Sequence, residues 1–588
     1  MDPLIPIDEA IVNDIRSTIR QCTERGLLAS AKWSVGAFSS CIYSQARLTH
    51  IPRLSEMFMS IPSAKRTHTR PPPPPVDEQE QAEQDYIAAA RQSMSDKQFQ
   101  RAAYIVRDCR SDKARYYNLY CQYLSHERLA LDEWYRLSDK KEQPTSPVNN
   151  EIPILLEDVA HSTEPWLMFI EALFLSRMSR KEEAITALLN VVASAPWIWA
   201  AWCLLGDCID SEKEYNDVLA RIPLLANHPV VYMFRAKMLN DLHLASTQVQ
   251  ICDHLLSPEF FPASLWVMSM KSRGYACLSS VTFYGPMVIA KVLNSSEYRD
   301  AQTQFERILS IEPDRLEDID FFSDILYVMD NKEKLSSYAQ KFQEKDKNRP
   351  EVCCFIGNAY SIRTEHENAV KYFRRATYLD RTYYHAWTSM GHEYLVMGNT
   401  HAAIEAYRRT LDITKKDYRA WAGMGQAYRV LGMYNYSLYY YERASALRPN
   451  DVTIWDGLGS CYEDTERIQE AISAYSRALK IGINQSLPGI NWKLGSIFRS
   501  MDVWSAAEQH FRTVVQIGEG AEGRLNNSEP YLGSLLALSE RSIRFDSGNL
   551  SEAKEYLERV AASNTELAGR AAAMLKAVKA KMGLKGKI

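Results

Sequence analysis

The dipeptide His392-Glu393 lies at the centre of the segment AWTSMGHEYLVMGN, residues 386–399, whose apolar spacing predicts a helix. A His-Glu pair on a helix could begin a zinc protease site, where a second histidine four residues after the first completes the ligand pair. Val396 occupies that position here. The pair therefore predicts no metal site, and its polar side chains need another explanation.

Two further patterns could carry chemistry, and their context argues against both. Residues 518–523 read GEGAEG, which is the spacing of a dinucleotide-binding loop. Such a loop follows a strand, whereas this segment follows an amphipathic helix, and Glu519 and Glu522 would repel a phosphate, so we predict an ordinary loop. The 12 histidines are dispersed, and none pairs with cysteine at zinc-finger spacing. The sequence predicts no metal, no cofactor and no enzyme active site.

Bulk composition narrows the class of protein. A chain of 588 residues is too long for one compact core, so several domains or a repeat array are expected. The net charge of −4 gives no basic excess that would favour binding to nucleic acid. The sequence contains no run of 18 uncharged apolar residues and no pattern of a secretory signal, so we expect neither a membrane span nor secretion. The 11 cysteines form no C-x-x-C pair and are expected to be buried free thiols.

A period of 34 residues decides the fold. Units begin at residues 350, 384, 418 and 452, and the same residue types recur at the same offsets in each unit. Offsets four, seven, eight and eleven share one face of a first helix, and offsets 20, 24 and 27 share one face of a second. The positions predicted to be structural are Trp387, Trp421 and Trp455 at offset four, Gly391, Gly425 and Gly459 at offset eight, Tyr394, Tyr428 and Tyr462 at offset eleven, Ala403 at offset 20, and Tyr407 and Tyr441 at offset 24.

This pattern is that of the tetratricopeptide repeat (TPR), and it predicts an all-α solenoid of stacked helix pairs wound into a right-handed superhelix. The glycine at offset eight is costly inside a helix, so we expect it to make room for the aromatic ring at offset 24. Gly398 and Gly432 are expected to cap the C-terminal ends of first helices.

The repeat pattern and the composition divide the chain into five predicted parts. Pro71–Pro75 is predicted to form a polyproline spacer. The parts are an N-terminal helical module at 1–60, a Pro-rich linker at 61–84, an N-terminal TPR-like array at 85–281, a C-terminal TPR array at 282–520, and terminal TPR-like helices with a basic tail at 521–588.

Stacked helix pairs leave a concave groove lined by first helices. At offset nine the four units carry Asn358, His392, Gln426 and Ser460, and Glu393 stands one place further round its helix. These side chains could simply be the solvated polar positions that any helix surface needs. Because all four residues at offset nine are polar but none is a lysine or a carboxylate, we predict instead a ladder that binds an extended partner peptide.

The runs EVCCFIGNAYSIRTEHENAVKYFRRATYLD, AWTSMGHEYLVMGNTHAAIEAYRRTLDITKKDYRAWAGMGQAYRVLGM and SLYYYERASALRPND resemble subunit 8 of the anaphase-promoting complex, the cell-division-cycle-protein-23 family. The resemblance is specific over about 300–480 and collinear over about 85–300. It implies a non-catalytic scaffold of a cullin-RING ubiquitin ligase in mitosis, located in nucleus and cytoplasm.

The same resemblance implies three kinds of partner. Family members form V-shaped homodimers through their N-terminal repeats and stack with sister TPR subunits. Their C-terminal groove receives an arginine-containing segment of a WD-repeat coactivator. By motif position, Asn358 in IGNAY and Glu393 in GHEY match the family's groove residues. A carboxylate suits a guanidinium through paired charge-assisted hydrogen bonds.

Two other classes of TPR protein fit these residues less well. A co-chaperone that clamps a peptide C-terminus needs convergent lysine, asparagine and arginine side chains on successive first helices. Offset five instead carries Cys354, Thr388 and Ala422. A TPR glycosyltransferase needs a fused catalytic domain, for which the length outside the array is too short.

Overall fold

The computed structural model describes residues 9–27, 29–36, 78–136, 148–160, 162–258, 260–278, 296–482, 488–520, 528–545, 550–563 and 566–585. All regular secondary structure in these ranges is helical, which confirms the predicted all-α class. The chain divides into two compact units, residues 1–278 with 297–315 and residues 279–296 with 316–588.

The first unit consists of helices around a large apolar core, with a smaller apolar cluster at Ala102, Ala103 and Cys121. Its helices are Glu9–Glu24, 29–36, Glu78–Ala82, Gln84–Ser95, Phe99–Ile105, Asp112–Arg136, Ile152–Val159, Pro165–Arg177, Lys181–Ser194, Trp199–Asp207, Glu212–Arg221, Pro229–Asp241, Ala245–Leu255, Leu265–Leu278 and Ser296–Ile311.

The described part of the predicted N-terminal module packs into this first unit. Trp33 stacks on Trp199 with ring centroids 4.1 Å apart. Arg25 lies over the Trp166 ring at 4.6 Å and forms an ion pair with Glu164 at 3.4 Å. Aromatic stacking and cation–π contacts of this kind bind the module to helices more than 130 residues later.

Two predicted boundaries differ from the structure. The end of the predicted linker is helical at Glu78–Ala82, because Glu80 forms an ion pair with Lys113 and Glu83 accepts hydrogen bonds from the backbone N–H groups of Arg110 and Ser111. Helix Ser296–Ile311, predicted to open the second array, joins the first unit. Residues 61–77, including the polyproline run, lie outside the described residues, and the other domain bounds stay predictions.

The second unit is a series of helix pairs, each packed against the next along the chain. Its helices are Ile319–Val328, Lys332–Lys345, Pro350–Ser361, His366–Leu379, Tyr384–Val396, Thr400–Ile413, Tyr418–Val430, Tyr434–Leu447, Val452–Asp464, Ile468–Ile481, Pro488–Ser500, Trp504–Gly520, Glu529–Arg544, Leu550–Ala561 and Leu567–Lys585. The pairing and the 34-residue spacing confirm the predicted TPR arrangement.

The glycine at offset eight lets the second helix of each pair approach closely. A Cβ on Gly391 would lie 2.5 Å from Cε1 of Tyr407, and a Cβ on Gly423 would lie 2.5 Å from Cζ of the same ring. Tyr407 is therefore held between a glycine of its own repeat and a glycine of the next. Gly425 and Gly457 enclose Tyr441 in the same way. The predicted use of the glycine is confirmed.

The tryptophans at offset four are only half-buried, although the sequence predicts them on the packing face. Each indole N–H donates to a carbonyl six residues earlier, in the turn before its helix. The three bonds are Trp387 to Arg381 at 3.3 Å, Trp421 to Lys415 at 2.8 Å and Trp455 to Pro449 at 2.8 Å. These tryptophans thus fix the connection between repeats as well as the core.

The predicted helix caps are present. Gly398 and Gly432 have φ values of 75° and 72°, the left-handed conformation that glycine adopts without strain. The GEGAEG segment differs from its prediction, because Gly518–Gly520 form the last turn of helix Trp504–Gly520. There Gly518 packs against the Tyr531 ring, which leaves no space for a side chain. Residues 521–523 lie outside the described residues.

Candidate peptide-binding groove

The first helices of the second unit present a shared inner surface, which we call the groove. It is lined by Ile319–Val328, Pro350–Ser361, Tyr384–Val396, Tyr418–Val430 and Val452–Asp464. The Arg419 guanidinium contacts the Asp324 carboxylate at 3.4 Å, although the two residues are 95 positions apart. This contact across three repeats shows that side chains of non-adjacent first helices meet on this surface.

Asn358, the first residue of the predicted ladder, is buried, and its side-chain NH2 group makes two hydrogen bonds. Its side-chain amide donates to the Ser323 hydroxyl at 2.7 Å and to Oδ1 of Asp324 at 2.9 Å. Only 5% of Asn358 is exposed. It therefore orients the Asp324 carboxylate toward the groove rather than facing solvent itself.

Glu393 is also buried, with 6% of its surface exposed. The Ser361 hydroxyl donates to its Oε1 at 2.6 Å, and Nδ1 of His366 lies 2.7 Å from its Oε2. Burial raises the pKa of Glu393, and the contacts with Ser361 and His366 offset part of that rise. Both carboxylate oxygens already have partners within the chain.

His392 points into the repeat, where its Nδ1 lies 2.7 Å from the Tyr407 hydroxyl. Burial lowers the pKa of His392 to about 4, and the nearby positive charge of Arg419 adds to the effect. The imidazole is therefore neutral at physiological pH and serves to anchor Tyr407.

The two remaining ladder residues differ from each other. Ser460 is buried, shares a hydrogen bond with the Tyr475 hydroxyl at 3.1 Å, and accepts one from Nζ of Lys493 at 3.0 Å. Gln426 is partly exposed on the groove surface. Of the five predicted residues, Gln426 agrees best with the prediction of a solvent-exposed side chain that contacts a peptide.

The ladder positions Asn358, Glu393 and Ser460 are thus buried among side chains of neighbouring repeats, although the sequence places them on the open surface of the groove. The physical reason is the curvature of the array, which brings successive first helices close enough for side chains at offsets nine and ten to bond across repeats. Whether these residues also contact a partner peptide stays a prediction.

The pattern of repeats alone did not single out four further groove residues: Asp324, His385, Asp417 and Arg419. Arg419 donates to Oδ1 of Asp417 at 3.3 Å and to Nδ1 of His385 at 2.9 Å, in addition to Asp324. A signal was present for Asp324, which stands 34 residues before Asn358 and therefore at the offset of the predicted ladder. Its pairing with Arg419 is a tertiary contact that no spacing rule gives.

The carboxylates of this group have unequal environments. Burial raises the pKa of Asp324 to about 6, and Arg419 compensates only in part. Burial would raise the pKa of Asp417 as well, but Arg419, His385 and the Thr388 hydroxyl outweigh it and hold that pKa below its ordinary value. Asp324 is therefore the less well compensated of the two acids.

Ion pairs between successive first helices continue along the groove. Arg429 bonds Asp464 at 2.7 Å, and Lys493 bonds Asp456 at 2.7 Å. Cations of the chain itself thus neutralise the carboxylates of this surface, and a partner's charged group must compete with them.

Neither a metal site nor a membrane segment is found in the part of the chain that the structure describes. There, no three histidine, cysteine, aspartate or glutamate side chains cluster to hold an ion. None of the described helices is long and apolar enough to cross a membrane. Ten cysteines within the described ranges are free thiols, and burial raises the pKa of Cys22 to about 11 and that of Cys121 to about 12.

Stacked helix pairs with a polar inner surface define this chain as a TPR solenoid protein. Tetratricopeptide repeat models match residues 350–383, 384–417 and 437–486, and the first two ranges coincide with predicted units. The family model for Anaphase promoting complex subunit 8 / Cdc23 matches residues 10–272. The chain is similar to that family over this part of its length, as the sequence resemblance predicts.

Relatives across eukaryotes carry the same description. The chain is 30% identical to Anaphase-promoting complex subunit 8 of Arabidopsis thaliana over 400 residues, which are 65% of either chain. It is 37% identical to the Dictyostelium discoideum subunit 8 over 38% of this chain and 34% of that protein, and 34% identical to the Mus musculus Cell division cycle protein 23 homolog over 55% and 47%. The matched region is less than two thirds of each relative's length.

Among solved structures, the hetero-tetramer Cut9-Hcn1 of the anaphase-promoting complex has a chain similar to this one. The TM-score is 0.55 at 15% identity, and the match covers 83% of this chain and 88% of that chain. At this identity the similarity concerns the fold, and it agrees with the TPR solenoid described above.

Proposed function

We propose that this chain is a non-catalytic TPR scaffold subunit of the anaphase-promoting complex, a cullin-RING ubiquitin ligase that controls mitotic progression, and that it acts in nucleus and cytoplasm. The observation that carries the proposal is the family match over residues 10–272 joined to TPR pairs over residues 350–486. A solenoid of this kind offers long surfaces for partners, and its function lies in those surfaces.

The proposed ligand of the groove is the arginine-containing segment of a WD-repeat coactivator. Support comes from the carboxylates Asp324, Glu393 and Asp417, which lie within one short stretch of groove and already bind cationic or polar groups of the chain. Such a surface favours a guanidinium, because paired charge-assisted hydrogen bonds are strong in a partly desolvated site.

The proposed partners of the first unit are a second copy of this chain and sister TPR subunits. Large apolar side chains are exposed on several of its helices, namely Tyr86 at 58%, Tyr104 at 64%, Leu129 at 56% and Ile154 at 58%. Apolar side chains exposed at this level suit protein–protein interfaces, where aromatic and aliphatic groups form the core.

The alternative function, a co-chaperone that clamps a peptide's C-terminal carboxylate, has less support. The groove concentrates carboxylates at Asp324 and Asp417, which would repel a second carboxylate. Arg419, the arginine beside these two carboxylates, is already bound to both.

Affinity purification of the tagged full chain from its own cells tests the proposal. The expected result is that a cullin subunit, a RING subunit and further TPR subunits co-purify in comparable amounts, and that a WD-repeat protein joins them in mitotic cells. Purification of chaperones in place of a cullin-RING ligase would refute the scaffold assignment and favour the co-chaperone alternative.

A further inference from the structure

The contact between Arg419 and Asp324 spans three repeats of the groove. The guanidinium lies 3.4 Å from Oδ2 of Asp324, while Asn358 holds Oδ1 at 2.9 Å. The side chains of Arg419 and Asp324 retain 21% and 24% of their exposure, so both reach the groove surface. The guanidinium of Arg419 thus already binds the Asp324 carboxylate in the groove.

Glu393 is less suited than Asp324 to receive a partner's arginine. Its side chain is 8% exposed, and Ser361 and His366 occupy its two oxygens at 2.6 and 2.7 Å. A new guanidinium would have to displace both of these short contacts at a nearly buried carboxylate. Asp324 is more exposed, and the contact to be replaced is a single hydrogen bond at the long end of the normal range.

Arg419 can leave Asp324 without losing its other contacts. Its guanidinium also donates to Asp417 at 3.3 Å, the N-cap of its own helix, and to His385 at 2.9 Å, on the first helix of the preceding repeat. Asp417 keeps the Thr388 hydroxyl at 2.9 Å and the backbone N–H of Arg419 at 3.0 Å. When the partner's arginine replaces Arg419 on Asp324, no buried charge is therefore left without a partner. The replacement then carries little desolvation cost.

We propose that Arg419 is an internal ligand of the arginine site: it binds Asp324 in the free chain, and the arginine of the partner segment displaces it. The inference rests on the proposed function, because it concerns the same groove and the same class of ligand. Asp324 is then the residue that binds the partner's guanidinium. Arg419 competes for the same carboxylate and so lowers the affinity of every partner that cannot displace it.

The test uses the full-length chain and two fluorescent synthetic peptides. One is the arginine-containing segment of a WD-repeat coactivator, and the other carries citrulline, a neutral copy of arginine, at that position. Binding of both peptides is measured by fluorescence anisotropy for the wild type and for Asp324→Asn, Arg419→Gln and Arg409→Gln. Arg409 bonds Glu405 on a second helix, away from the groove, and serves as the matched control.

The variants should change the preference for arginine over citrulline in opposite directions. Arg419→Gln should bind the arginine peptide roughly fivefold to tenfold more tightly, since no internal ligand competes for Asp324. Asp324→Asn should lose most of the preference, and Arg409→Gln should match the wild type. Thermal unfolding verifies that each variant is folded, and Arg419→Lys replaces Arg419→Gln if the latter does not fold, with a smaller gain expected.

The outcomes separate the inference from the proposed function. If the wild type prefers arginine but Arg419→Gln gains no affinity, or Asp324→Asn keeps the preference, the internal-ligand inference is wrong and the coactivator proposal stands. If the wild type binds neither peptide, the coactivator proposal and the inference built on it both fail.

Discussion

At the scale of single residues, the repeat depends on glycine positions that admit an aromatic ring. A Cβ on Gly391 would lie 2.5 Å from Tyr407, which is fully buried between two repeats. Gly391→Ala should therefore lower the free energy of unfolding by about 1–3 kcal/mol through overpacking, despite alanine's better helix propensity. Urea denaturation measures the change. Gly489→Ala is the control, because nothing lies within 4 Å of its Cβ position, and it should cause no loss.

His392 predicts a specific pH dependence of stability. Its folded pKa of about 4 lies below the ordinary 6.5, so between pH 6.5 and 4 the unfolded chain binds a proton that the folded chain does not. Stability is complete above pH 6.5 and is lost as the pH falls through this window, by about 1–2 kcal/mol at pH 5. His392→Gln should remove this part of the loss in denaturation curves at pH 7 and pH 5. The exposed His401→Gln should keep the wild-type slope, and equal slopes for both variants would contradict the prediction.

The sequence predicts some properties of the repeat and groove residues but not others. The glycines and aromatics of the repeat could be predicted, because each is fixed by contacts within one or two repeats. The identity of Asn358 and Glu393 as inner polar residues could be predicted, but their burial could not, since it depends on the curvature of the array. The pair of Asp324 and Arg419 could not be found from spacing, because it joins positions three repeats apart.

At the scale of elements, the turn that ends each first helix needs a left-handed residue. Two repeats place Gly398 and Gly432 there, while others place Thr364 and Glu466, with φ values of 65° and 61°. A left-handed conformation is costly for a β-branched side chain. The sequence therefore predicts the turn well where glycine marks it and poorly where it does not.

Thr364→Gly should stabilise the second unit. Relief of the left-handed strain exceeds the entropy that glycine adds to the unfolded chain, so a gain of about 1 kcal/mol in the free energy of unfolding is expected. Urea denaturation again provides the measurement. The same replacement at Thr382, whose φ is not positive, should destabilise, and a loss at both positions would show that Thr364 is not strained.

At the scale of the whole molecule, the sequence predicts a repeat array but not how its helices group into compact units. Helix Ser296–Ile311 matches the phase of the second array, yet the Ser272 hydroxyl donates to the Ala301 carbonyl at 2.9 Å and ties it to the first unit. Neighbour contacts decide such grouping in solenoids, since each pair buries its apolar face only against the next pair. Repeat phase alone is therefore a poor guide to unit boundaries.

The proposed homodimer gives a prediction that involves the molecule as a unit. Leu129, 56% exposed, and Phe99 are the two apolar residues of an otherwise polar and charged concave surface on the first unit, and we propose that an apolar side chain of a second copy packs against them. In a two-fold interface one substitution acts twice, so Leu129→Glu should reduce the mass in light scattering from twice 67.3 kDa to 67.3 kDa. Leu225→Glu changes another exposed leucine, 69% exposed, and should leave the dimer intact. A monomer mass for the wild-type chain would refute the homodimer. A dimer mass for Leu129→Glu would show that the interface does not include Leu129.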